Sequence, residues 1–132
     1  MLLSVMYPFE RFTDAAKEML TLAQQEAERS QHSYIGTEHL LLAMTRQSGA
    51  IASVVLMRLG VAHDDVRERI VAVLGREERI VIQQIIPTSR VKRVIEMAFA
   101  GAQQQDSRVV ATDHVLIALA LEGEGIAAHV LV

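Results

Sequence analysis

Three residues able to do chemistry stand side by side twice in this chain, as Thr37-Glu38-His39 and as Thr112-Asp113-His114. Each run offers a hydroxyl, a carboxylate and an imidazole, a set that can serve acid–base catalysis, metal ligation or anion binding at a helix start. Spacing narrows the choice. A helical zinc hydrolase wants His-Glu-x-x-His, and none of the five histidines (His32, His39, His63, His114 and His129) falls in that pattern. A serine hydrolase wants Gly-x-Ser-x-Gly and a nucleotide hydrolase wants Gly-x-x-x-x-Gly-Lys; the chain contains neither. The absence of cysteine removes thiolate nucleophiles, disulfides and cysteine-ligated zinc together. The expectation is a protein that is not an enzyme, with no metal and no cofactor, and a small hydrolase survives only as a distant alternative.

Helix starts remain. Thr37 and Thr112 can cap helices, with Glu38 and Asp113 complementing the positive end of each dipole, together worth about 1–2 kcal/mol. The same geometry attracts anions such as phosphate, and an adjacent carboxylate can grip a guanidinium through paired charged hydrogen bonds. His39 and His114, at equivalent places, are expected to hydrogen-bond the preceding loop rather than bind metal.

Such sites need helices to hold them, and the pattern supplies them. Thr13 caps a helix from Asp14 to about Ser30, whose stripe is Ala16, Met19, Leu20, Ala23 and Ala27. A loop from His32 to Gly36 leads to a second helix ending near Arg46. Its Leu40-Leu41-Leu42-Ala43-Met44 is apolar nearly all round, which predicts deep burial. A short third helix begins at Ile51 and stops at Gly60. A fourth runs from about Asp64 to Leu74, with Val66, Ile70, Val73 and Leu74 inward.

The pattern then begins again 75 residues later. Residues 13–57 against 88–132 share 12 identities in 45 positions, and ten further pairs set apolar against apolar. The fold class predicted is all-α, two pseudo-symmetric four-helix-type repeats in one domain over residues 9–132. Repeat 1 is about 9–75, the linker about 76–86 with an extended Ile80-Val81-Ile82, and repeat 2 about 87–132. By the offset, repeat 2 lacks its last helix. Leu41 and its counterpart Leu116 should both be nearly inaccessible.

Composition agrees with one packed domain: 132 residues, half of them apolar, with a net charge of −3. An acidic balance disfavours nucleic acid as partner. The best basic cluster, Arg90, Lys92 and Arg93, reads as a solvated face or a dock for acidic partners. No apolar run reaches the ~20 residues of a membrane helix. The absence of cysteine suits a reducing compartment, so the expected location is cytoplasmic.

Phe9-Glu10-Arg11-Phe12-Thr13-Asp14 with Tyr34-Ile35-Gly36-Thr37-Glu38-His39-Leu40-Leu41-Leu42, the second copy Thr112-Asp113-His114-Val115-Leu116-Ile117-Ala118, and Leu121-Glu122-Gly123-Glu124-Gly125-Ile126-Ala127-Ala128 carry a resemblance. Together they resemble the N-terminal (Clp R) domain of ClpC- and ClpA-type AAA+ protein unfoldases. The resemblance implies a docking domain that receives adaptor or substrate proteins for a Clp AAA+ ring or protease. It also implies a phosphoarginine site at the acid of each motif, here Glu38 and Asp113, and makes Phe9, Thr13 and Lys92 candidate peptide-pocket residues. The second motif departs from the pattern, with Asp for Glu and Ala111 for Gly36. On reach alone, Glu38 should therefore make the tighter site. The alternative is a free-standing accessory protein that modulates the Clp protease or its ring.

Overall fold

The computed structural model describes residues 9–32, 34–74, 86–123 and 125, and at 9, 73, 74 and 86 the backbone alone. Six α-helices carry it: α1 (Asp14–Arg29), α2 (Thr37–Arg46), α3 (Ile51–Arg58), α4 (His63–Leu74), α5 (Ser89–Gln104) and α6 (Thr112–Glu122). Among the described residues the fold is all-α, apart from two-residue strands and a 3-10 turn at Phe9–Arg11. The linker over 76–85 and the segment after Gly125, including Ile126 and Ala127, lie outside the described residues.

Thr13 caps α1 as expected, its hydroxyl accepting the Ala16 N–H at 3.1 Å, and Thr88 does the same for α5 through the Val91 N–H at 3.2 Å. α1 turns its stripe of Ala16, Met19, Leu20, Ala23 and Ala27 onto α2, where every residue from Thr37 to Met44 is buried. Val66 and Ile70 of α4 complete this core from the far side. α5 and α6 pack against each other in the same way, burying Val91, Val94, Ile95, Ala98, Val115 and Leu119.

The segment expected to be a plain loop before α2 holds a short strand. β1 (Tyr34–Ile35) runs parallel to β2 (Ile86–Pro87), with Ile35 opposite Pro87. A single parallel bridge joins Phe12 to Val110. The hydrogen bonds that follow are paired. Thr88 N–H donates to the Ile35 carbonyl at 3.0 Å, and Thr13 N–H donates to the Val110 carbonyl at 3.0 Å. The 75-residue offset relates donor to donor and acceptor to acceptor, with the two halves exchanging roles. Each half thus begins its first helix on the strand that precedes the second helix of the other half. Hydrophobic periodicity carries no trace of such an exchange.

Two side chains depart from expectation. Leu41 is fully buried, but Leu116 is only partly so. α6 is apolar on all sides, yet nothing among the described residues lies over its outer face as α4 lies over α2. Glu26, inside the apolar stripe of α1, is completely buried. Arg46 at 3.1 Å and Arg67 at 2.8 Å reach its two carboxylate oxygens and tie α2 and α4 to α1.

Candidate helix-start sites

The strand exchange builds two similar corners. In the first, Thr88 with α5 stands beside Ile35-Gly36-Thr37-Glu38 at the start of α2. In the second, Thr13 with α1 stands beside Val110-Ala111-Thr112-Asp113 at the start of α6. The candidate residues therefore divide. Lys92 lies one turn into α5, the helix of the first corner, and Thr13 caps α1, the helix of the second. The Phe9 side chain lies outside the described residues. Thr88 and Lys17, the counterparts of Thr13 and Lys92, join these corners, and the 75-residue offset points to both.

The cap residues differ from the expectation. Gly36 and Ala111 occupy the N-cap positions with extended backbone, and Thr37 and Thr112 are the first helical residues. Neither threonine caps. Thr112 Oγ1 instead accepts the Ala52 N–H at 3.0 Å, joining the start of α6 to α3. Thr37 is buried against Gly125, where a Cβ would come within 2.6 Å of its hydroxyl oxygen. Both hydroxyls face the protein interior, so what these positions can offer a ligand is backbone N–H.

The histidines do hydrogen-bond the preceding loop, and do so identically. Gly36 N–H donates to His39 Nδ1 at 2.8 Å, and Ala111 N–H donates to His114 Nδ1 at 2.9 Å. A ring nitrogen that accepts an N–H carries no proton, which leaves the hydrogen on Nε2. His39 Nε2 then donates to His32 Nδ1 at 2.8 Å, and His114 Nε2 to Gln105 Oε1 at 2.9 Å. Burial, with His32 beside it, lowers the His39 pKa to about 3. The 3.8 Å approaches of Glu38 to His39 and of Asp113 to His114 are made to these unprotonated Nδ1 atoms, so neither is an ion pair.

The two acids sit differently. Glu38 folds its carboxylate back over Gly36 into the place a Cβ would take, and its side chain is 2% exposed. Ala111 has that Cβ, so the shorter Asp113 stays outside with its side chain 33% exposed. Asp113 Oδ1 is nonetheless buried and without a hydrogen-bond partner. The basic cluster is partly neutralised: Arg90 donates to the buried Glu122 carboxylate at 2.8 Å. Among the described residues, no group of three or more His, Asp or Glu side chains could hold a metal ion, and no single helix is long and apolar enough to cross a membrane.

Residues 11–132 match the family model of the Clp repeat (R) N-terminal domain. The chain belongs to the Clp N-terminal domain family. It is 41% identical over 123 residues to the negative regulator of genetic competence ClpC/MecB of Bacillus subtilis. Over 123 residues it is also 39% identical to the chloroplastic chaperone protein ClpC1 of rice, Oryza sativa subsp. japonica. These alignments take in 93% of this Clp N-terminal domain, but only 15% of the first relative and 13% of the second. Solved N-terminal domains share the fold. That of ClpD from Arabidopsis thaliana has a TM-score of 0.76 at 24% identity, covering 93% of this chain and 84% of that one. That of Hsp104 from Candida albicans has a TM-score of 0.74 at 22% identity, covering 91% and 79%.

Proposed function

We propose that this Clp N-terminal domain is a non-enzymatic receptor for adaptor or substrate polypeptides of a cytoplasmic Clp unfoldase–protease, and that it takes phosphoarginine groups at the two crossed helix starts. The observation that carries the reading is Asp113 Oδ1, a buried carboxylate oxygen with no hydrogen-bond partner at the N-terminus of α6. A buried acceptor left unpaired is costly, and a donor-rich ligand relieves it. A guanidinium supplies such donors in a planar fork. The phosphate it carries suits the first-turn N–H groups of α6 and of α1, which have no carbonyl within their own helices to bond.

Reach favours Glu38, but exposure favours Asp113. Glu38 must first leave its seat at Gly36, and a site whose open form is a minor population binds more weakly by that fraction. The Asp113–Thr13 corner is therefore assigned the tighter site and the Glu38–Thr88 corner the weaker one. Calorimetric titration of the full chain with phosphoarginine and with unmodified arginine tests this. The expected outcome is binding of phosphoarginine at least about tenfold tighter than arginine, a difference of about 1.4 kcal/mol. Asp113→Ala should remove more of it than Glu38→Ala. No preference for the phosphorylated ligand would overturn the reading.

A further inference from the structure

The two corners differ in a second pair of residues. In the first, the Glu122 carboxylate is taken at both oxygens, by the Arg90 guanidinium at 2.8 Å and the Gly125 N–H at 2.9 Å. The 75-residue offset sets Gln47 in the place of Glu122 and Ala15 in the place of Arg90. Both charges of that ion pair are thus missing from the second corner. Gln47 still reaches across it, its Nε2 donating to the Ala15 carbonyl in the first turn of α1 at 2.9 Å. Five residues on, the Ala52 N–H bonds Thr112 at the start of α6. Gln47 is 9% exposed, and its Oε1 is buried without a hydrogen-bond partner. Oxygen and nitrogen share one amide carbon, so this unmet acceptor lies beside the first turn of α1.

We infer that Gln47 reads the residue next to the phosphoarginine, and that the second corner selects a polypeptide with a side-chain amide there. Both Glu122 oxygens are already bonded, so the first corner makes no such choice. Charge decides the class of donor. A buried neutral acceptor is relieved by an N–H. A lysine or arginine would bring a lone cation to a place whose carboxylate is gone, at the positive end of α1. An amide N–H meets the acceptor and brings no charge. The inference rests on phosphoarginine binding at the helix starts.

Three peptides test it, each with phosphoarginine between two identical residues: glutamine, methionine or lysine. Methionine matches glutamine in length but has no donor, and lysine donates with a charge. The ¹⁵N-labelled full chain is titrated with each, following the amides of Asp14 and Asp113 for the second corner and of Thr37 and Glu38 for the first. Affinity is read as the ratio of second corner to first, which cancels the general attraction of a chain of net charge −3 for lysine. The glutamine peptide should have a ratio at least about tenfold above the other two. Ala15→Arg with Gln47→Glu rebuilds the ion pair of the first corner and should bring the three ratios together. Gln47→Met, which removes the acceptor, should do the same. Equal ratios on the parent chain, or a preference that survives in either variant, would overturn the inference and leave phosphoarginine binding standing. Free phosphoarginine that shifts neither corner would overturn both.

Discussion

The Glu38 carboxylate occupies the volume beside Gly36 that a Cβ at that position would need. Gly36 has an ordinary extended backbone, with φ −98° and ψ 174°, so its lack of a side chain matters for space and not for conformation. Ala111 has almost the same angles, −98° and 173°, and is followed two residues later by the shorter Asp113. Gly with Glu and Ala with Asp are two solutions to one packing problem.

The pairing predicts strong coupling between the two positions. Gly36→Ala alone should cost about 1–3 kcal/mol, the usual range for overpacking, because the Glu38 carboxylate must give way. Gly36→Ala with Glu38→Asp copies the second corner and should recover most of that loss. Urea unfolding of the two single variants and the double variant closes the cycle. Additive losses would show that the two side chains do not compete for one space.

Acid should weaken the first corner through His39. Its pKa in the folded chain, about 3, lies below the ordinary histidine value of 6.5, so the neutral ring is the form that folding favours. The stability it contributes is fully present above about pH 6.5 and drains as pH falls toward 3. Protonating the buried ring would cost on the order of 5 kcal/mol, because every tenfold loss of proton affinity corresponds to about 1.4 kcal/mol. His39→Asn should flatten this part of the stability–pH curve, as measured by urea midpoints from pH 7 to pH 4. A curve of unchanged shape would contradict the assignment.

Glu26 is the ion that fastens α4 to α1 and α2. Glu26→Gln keeps the volume but loses the charge facing Arg46 and Arg67, and should cost about 1–3 kcal/mol in urea unfolding. Both arginines remain partly exposed and can turn to water, so the loss should stay at the modest end for a buried pair. Hydrogen exchange should rise most over residues 63–74.

What was legible in the sequence was whatever leaves a local trace. The helix starts at Thr13 and Thr88, the stripe of α1 and the burial of Leu40 to Met44 all follow from spacing, and the structure has them. The cross-strand bonds to Ile35 and Val110 join residues 53 and 97 positions apart, and no window along the chain reports them. Leu116 resembles Leu41 in sequence because their own helices are alike; the difference lies in α4, which covers only one of them. Glu26 could have been flagged, since a carboxylate inside the stripe of Ala23 and Ala27 demands a buried partner. Thr37 and Thr112 read as caps but stand one residue inside their helices. Gly36 and Ala111 cap with backbone alone, while His39 and His114 accept the N–H groups of those cap residues.

Ligand binding where the first helix of one half meets the second helix of the other is tested most directly by titrating the ¹⁵N-labelled chain with phosphoarginine, read at assigned backbone amides. Asp14 and Ala15 should shift together with Thr112 and Asp113 at low ligand. Thr37 and Glu38 should shift together with Ser89 and Arg90 only at higher concentration. Shifts at neither corner, or at α1 together with α2 and not α6, would contradict the crossed arrangement.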